Sequence, residues 1–159
     1  MVYIGQNRQL TDIVFQIEKA RRNVDFVRIV CISQARLGES KEFALYLNDF
    51  LKECSNLEHL LIVRTNLGGL MRNSKNVNMF RDLKTTSLRN VNLTCCDLKN
   101  PLLERIVLAL RPLETIERLV CCENLELDLH AMNSLFKVKK VRVNIKEDEY
   151  CVDFPKIAN

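Results

Sequence analysis

Apolar residues recur along this chain in a pattern with fixed internal spacing. Three copies, at residues 27–37, 57–67 and 88–98, share the offsets 3, 2, 3 and 2 between their apolar or small residues. Weaker copies begin at residues 116 and 138, and Val2 and Ile4 fit the middle of a truncated first copy. Within each copy, alternate positions are apolar, which predicts a short β-strand with one buried face. We number the positions of a copy from one to eleven and call them slots. The three regular copies are Val27, Val30, Ile32, Ala35, Leu37; Leu57, Leu60, Ile62, Thr65, Leu67; and Leu88, Val91, Leu93, Cys96, Leu98.

Amphipathic helices are predicted in the segments that link the strands. Apolar residues recur there at intervals of three and four, beginning at Leu10, at Phe43 and at Leu103. The third link differs, because Gly68-Gly69 favours a glycine-bearing turn followed by a short helix at best. The last link has room for only a brief helix around Ala131.

Residues that favour the first position of a helix support these boundaries. Thr11 and Ser40 are predicted N-caps, and Asn100 precedes Pro101, a residue pair typical of a helix start. Asp128 is the corresponding candidate for the last helix. A strand, a turn and a helix repeated in order predict a parallel sheet with helices on its other side.

The spacing resembles the leucine-rich repeat signature L-x-x-L-x-L-x-x-N/C-x-L. Within that superfamily it is similar to the helix-bearing types, those of ribonuclease inhibitor and the cysteine-containing repeats associated with F-box proteins. The resemblance implies an α/β solenoid shaped as a horseshoe, with the parallel sheet on the concave face and helices on the convex face. It covers residues 1–145, about five repeats with the first truncated, and leaves 146–159 as a C-terminal cap or tail. Ala35 and Thr65 depart from it, because they stand where asparagine or cysteine is preferred.

Slots three, five and seven are expected to project from the free face of the sheet, because strand side chains alternate between faces. These rows supply our candidates for partner binding. The apolar members would form the centre and the polar members the rim of an interface. The candidates are Tyr3, Ile29, Cys31, His59, Leu61, Val63, Asn92, Arg118, Val120 and Arg142. A terminal or flanking segment folded over the apolar members is an alternative that the sequence leaves open.

Slot two alternates in charge along the copies. The residues are Arg28, Glu58, Arg89, Glu117 and Lys139. In register, neighbouring strands place opposite charges side by side and disfavour slipped pairing. We interpret this row as a structural ladder rather than a binding site.

The first predicted strand, Val2, Tyr3 and Ile4, has no earlier copy in this sequence to cover its edge. An exposed strand with little charge invites pairing with another strand. Either a further copy of a longer array covers this edge, or the edge is a second candidate surface, for a partner or for a second copy of the chain.

The composition and the placement of reactive residues limit the functions that the sequence supports. The seven cysteines follow the repeat pattern, and Cys96 and Cys121 occupy inward slots, so small core residues explain them better than a metal site does. His59 and His130 are the two histidines, and neither has an evident catalytic partner. We predict no enzymatic activity, no cofactor and no metal. With a net charge of +4 and 6% aromatic residues, the sequence does not favour nucleic acid as a partner.

The apolar stretches are too short for a membrane span, and the first residues lack the features of a secretory signal. We expect an intracellular location, in the cytoplasm or the nucleus. The predicted function is a non-enzymatic protein-interaction module that acts through the concave face or the open edge strand. The alternatives are the substrate-recognition part of an F-box-type ubiquitin-ligase adaptor and a self-assembling scaffold.

Overall fold

The computed structural model has an α/β fold built on a seven-stranded sheet of order β1-β2-β3-β4-β5-β7-β6. It describes residues 1–5, 9–35, 37, 40–72, 80–81, 83–110, 113, 115–121 and 124, and the backbone of 73, 142–146 and 149–153. The strands are β1 Val2–Gly5, β2 Ile29–Ser33, β3 His59–Val63, β4 Asn90–Asn92, β5 Arg118–Val120, β6 Arg142–Lys146 and β7 Glu149–Asp153. The helices are α1 Leu10–Arg21, α2 Lys41–Glu53, α3 Leu67–Asn73 and α4 Asn100–Leu110, with a 3-10 helix at Val24–Phe26.

Strands β1 to β5 run parallel, and equal slots of successive copies lie opposite one another. Ile4 is aligned with Ile32 and Ile32 with Ile62, all in slot six. The slot-four and slot-six side chains of all five parallel strands are buried, whether they lie within the strand or directly after it. The one exception is Val2, which is half-buried. Apolar slots therefore fix the register, because a shift of one residue would turn the buried set outward.

Helices pack against this buried side of the sheet and complete one hydrophobic core. Ile13 and Ile17 of α1 are fully buried, as are Leu47 and Phe50 of α2 and Ile106 of α4. The three helices predicted from apolar spacing are thus confirmed as α1, α2 and α4. Polar contacts also join α1 and α2. The Tyr46 hydroxyl donates to the Glu18 carboxylate, and the Arg21 guanidinium forms an ion pair with Glu53 at 3.0 Å and lies 4.5 Å from the Tyr46 ring centroid.

Two of the predicted helix starts need correction. The Ser40 hydroxyl accepts from the Phe43 amide at 3.2 Å, as a capping residue should. In helix α1, however, Gln9 rather than Thr11 occupies the N-cap position, and it accepts through its carbonyl and not through its side chain. In helix α4, Asn100 belongs to the helix, and the carbonyl of Lys99 accepts the first helical hydrogen bonds. Each error is one or two residues, because several polar residues near a helix start are compatible with the same local signal. The Asp128 and Ala131 predictions lie outside the described residues.

The prediction for the third link was wrong about its glycines. Gly68 and Gly69 lie inside helix α3, not in a turn before it. The Asn66 side chain caps this helix, accepting from the Gly69 amide at 2.7 Å, and the Gly68 amide donates to the Cys96 carbonyl at 2.8 Å. A Cβ atom at Gly68 would clash with the backbone of Asp97. The glycine is explained by this close approach between α3 and the next copy's turn, which a local pattern cannot reveal.

The copy that begins at residue 138 does not extend the array of five parallel strands. Strand β6 pairs antiparallel with β7, and β7 lies between β6 and β5, antiparallel to both. Arg142 is consequently aligned through Asp153 with Arg118, and not beside Val120 as the slot assignment predicted. Alternating apolar residues are compatible with either strand direction, so the pattern could not distinguish them. Strand β7 falls within residues 146–159, for which the sequence predicted a cap or a tail.

Buried polar residues join successive copies where the strands end. We call Thr65, Cys96 and Asn124, all in slot nine, the turn ladder. The Thr65 hydroxyl accepts from the Ala35 amide at 3.4 Å, and the Cys96 thiol donates to the Ile62 carbonyl at 2.8 Å. The Asn124 amide group makes four backbone hydrogen bonds of 2.9–3.0 Å, to Leu93, Cys96, Leu98 and Cys121. Slot nine thus performs the same task in three copies with three different side chains.

In the described turns after β2, β3 and β4, the residue just before slot nine has a left-handed backbone. Gln34, Arg64 and Cys95, all in slot eight, have φ of 52°, 50° and 53°. This conformation is uncommon for residues other than glycine and turns the chain out of the strand. Its recurrence at one slot shows that the three copies share a turn geometry as well as a strand.

Candidate protein-binding face

The structure brings most of the predicted partner-binding residues onto one face of the sheet, which we call the open face. Slot five forms an aligned row across five strands, and slot three forms a second row across four. The first row is Tyr3, Cys31, Leu61, Asn92, Val120, and the second is Ile29, His59, Asn90, Arg118. Val63 of slot seven lies opposite Ser33. The alignment agrees with the slot assignment for every candidate except Arg142.

The apolar side chains of β2 and β3 on the open face are less buried than those of the core. Ile29, Cys31, Leu61 and Val63 are half-buried, and each alternates along its strand with a core residue of less than 1% exposure. Tyr3 is 54% exposed. The ring of Tyr3 lies over Gly5, where a larger residue would clash with it. The part of the open face on β1 to β3 therefore presents contiguous apolar surface, as interaction sites do.

Polar groups occupy the part of the open face on β4 and its neighbours. In the neutral ring with hydrogen on Nε2, the Asn90 amide donates to Nδ1 of His59 at 3.0 Å. The Asn92 carboxamide oxygen accepts from the Thr94 amide at 3.0 Å and from its hydroxyl at 2.7 Å. These hydrogen bonds orient the side chains of His59 and Asn92 before any partner protein binds. The open face thus has an apolar area bordered by preoriented polar side chains, the arrangement expected of a protein interface.

The predicted edge strand is also in place. Among the described residues, β1 pairs with β2 alone, so its other edge carries unpaired backbone groups. Val2 is half-buried, Tyr3 exposed and Ile4 fully buried. Sequence reasoning missed a neighbouring residue, Phe26, which is 80% exposed. The available signal was an aromatic residue outside the apolar slots, directly after the polar residue Asp25.

The described cysteines have the character of packing residues. Burial raises the pKa of the Cys54 and Cys96 thiols to about 12 and also raises the pKa of Cys31. Thiols with raised pKa values are protonated at neutral pH and react slowly. No group of three or more histidine, cysteine, aspartate or glutamate side chains is arranged to hold a metal within the described ranges. Of the two histidines, His130 lies outside them.

Comparisons with known proteins found no matching protein-family model, no matching curated protein and no matching solved structure. In the part of the chain that the structure describes, no helix has the length and apolar character needed to cross a membrane. The open face and the strand edge are therefore the features from which we infer function.

Proposed function

We propose that this chain is a non-enzymatic protein-interaction module that binds a partner protein through its open face. The observation that carries the proposal is the aligned row Tyr3, Cys31 and Leu61, whose side chains lie on the side of the sheet opposite the core, with Tyr3 exposed and the other two half-buried. The fold does not require apolar residues there, since serine, asparagine and arginine occupy other positions of the same face. A partner that covers this area would gain the apolar contact that drives most association.

The proposal includes the architecture. A leucine-rich repeat solenoid with the open face on its concave side is consistent with the parallel strands, the shared turn geometry and the turn ladder. In such stacks each copy contacts only its neighbours and leaves one long surface available. Ile29, Leu61 and Val63 would be the apolar centre, and His59, Asn92 and Arg118 the polar border. The F-box-type adaptor role stays a prediction, because no described contact favours it.

The test is a pair of charged substitutions on the open face. The variant with Leu61→Asp and Val63→Asp should lose partner proteins captured by the wild-type chain, with recovery at least about tenfold lower, because a buried unpaired carboxylate opposes association. The matched control carries Leu45→Asp and Leu108→Asp, which replace leucines of helices α2 and α4 that are 43% and 48% exposed. Capture is compared by quantitative mass spectrometry.

Circular dichroism and thermal unfolding must first show that both variants are folded. If the charged open-face variant melts early, Leu61→Thr with Val63→Thr removes apolar surface while retaining β-propensity. Partners lost by the open-face variants and kept by the helix variant support the proposal. Equal recovery from all folded variants would refute it.

A further inference from the structure

The outer edge of β1 is suited to pairing with another strand. It runs over Val2–Gly5, and its sequence contains neither the charged residues nor the proline with which proteins commonly protect an edge. In a parallel pair, each strand directs only part of its backbone N–H and C=O groups to its neighbour. The remaining groups of β1 point away from β2, to a side on which no described strand lies.

A cleft of about 330 Å³ lies beside this edge. Its walls come from β1, from the second half of α1 and from the 3-10 helix that follows it. They consist of Met1, Val2, Tyr3, Gln16, Lys19, Ala20, Asn23, Phe26 and Val27. Met1 and Phe26 are 82% and 80% exposed, which places large apolar side chains around the opening. The cleft is at the lower end of the size range of ligand pockets, so it suits individual side chains of a bound segment.

The charge of the cleft is also one-sided. Of the described residues that line it, Lys19 alone has a charged side chain. Lys19 is exposed, and no described carboxylate forms an ion pair with it. An acidic side chain next to Lys19 would therefore find a cation that has no partner among the described residues.

We propose that an extended segment of another protein adds to the sheet along β1, with apolar side chains in the cleft and an acidic side chain at Lys19. Strand addition combines backbone hydrogen bonds with pockets for alternate side chains, and the edge and the cleft supply these two elements. The site lies at the end of the sheet, and Tyr3 is the one described residue that it shares with the open-face row. Because β1 has four residues, the paired length is about 13 Å, which suits a weak, reversible interaction.

A second copy of this chain fits the site less well than a foreign acidic segment. Symmetric pairing of two β1 edges would bring together two clefts that carry the same positive side chain. Like charges at one junction oppose association. An acidic segment has the complementary charge and the same backbone hydrogen bonds.

The proposal is tested with a display library of random eight-residue peptides, selected against the whole chain. Enriched peptides should carry an acidic residue with apolar residues two positions to either side, since alternate residues of a strand face the same way. The leading peptide is then synthesised, and its binding is measured by fluorescence anisotropy. We expect Lys19→Glu to weaken binding at least about tenfold and Lys19→Met to have a smaller effect, because one reverses and the other removes the charge. The matched control, Lys84→Glu, makes the same charge change at an exposed position before β4 and should alter binding less than about twofold.

Hydrogen–deuterium exchange identifies where the peptide binds. The expected result is slower exchange of the β1 amides, both in the wild-type chain and in the variant with Leu61→Asp and Val63→Asp. Survival of binding in that variant separates this site from the open face, so either proposal can fail alone. Four results would overturn the strand-addition proposal: protection of β3 and β4 instead, equal affinity for Lys19→Glu, no enrichment above the library background, or a dimer in light scattering whose β1 amides are already protected.

Discussion

The two ends of the parallel strands connect neighbouring copies by different physical means. Where the strands begin, exposed slot-two charges pair across the sheet, Arg28 with Glu58 and Arg89 with Glu117 at 3.2 Å. Where they end, the turn ladder is buried and its side chains bond to backbone groups. Water competes with the ion pairs where the strands begin, and it is excluded from the turn ladder where the strands end. Similar numbers of polar contacts should therefore contribute very different amounts to the free energy of unfolding.

The largest effect should come from Asn124, which is 3% exposed. Replacement by leucine leaves the Cys96 and Leu98 amides and two carbonyl groups without their partner, so we expect a loss of about 4 kcal/mol or more in the free energy of unfolding. The matched control is Asn92→Leu on the open face, where the only described bonds of the side chain are to Thr94, and it should cost less than about 1 kcal/mol. Urea denaturation measures both. Similar losses for the two variants would contradict the inference that burial at the strand ends raises the cost of the substitution.

A smaller effect is expected from the close approach at Gly68. The substitution Gly68→Ala forces α3 away from the Asp97 backbone and should cost about 2–3 kcal/mol. Gly69→Ala is the useful contrast. Its Cβ meets the flexible Asn66 side chain, so about 1 kcal/mol of lost capping is offset by a similar gain in helix propensity. Equal destabilisation by the two variants in thermal unfolding would contradict the assignment of the larger cost to the contact between Gly68 and the Asp97 backbone.

The smallest effect should appear at the strand starts. The side chains of Arg89 and Glu117 are 60% and 40% exposed, and we expect their coupling energy to be about 0.2–1 kcal/mol. A double-mutant cycle with Arg89→Gln and Glu117→Gln measures it, and the value should fall further in about 1 M salt because the pair is screened. A coupling energy as large as the cost of Asn124→Leu would abolish the distinction between the two strand ends.

The sequence predicted the parallel strands and their register well because both depend on repeated apolar slots. Alternation determines which side of each strand is buried, and equal spacing aligns the copies. The apolar spacing alone therefore assigns Tyr3, Cys31 and Leu61 to one row, and the strand register agrees. The slot-two charges were consistent with the same register, and two of the expected pairs are present. Local periodicity is sufficient to predict the buried face and the register of the strands, because repeated apolar residues determine both.

The failures occurred where a distant part of the chain decides the outcome. Gly68-Gly69 has the local character of a turn, yet the Asn66 cap and the contact with Asp97 place it in a helix. The direction of β6 depends on its pairing with β7, which comes later in the sequence. The cleft beside β1 was missed for the same reason, because Lys19 and Phe26 have no shared pattern and meet only in three dimensions. Such features can be recognised only from the tertiary structure, however regular the repeat is in the sequence.

The Cys96 thiol has a consequence for the chemistry of the folded chain. Burial raises the pKa of this thiol to about 12, so it is protonated at neutral pH, and it is also fully buried. A thiol reagent can modify it at an appreciable rate only after the turn that contains it has opened. The alkylation rate of Cys96 would then measure how often this turn opens under native conditions. The thiol is therefore a built-in probe of local unfolding.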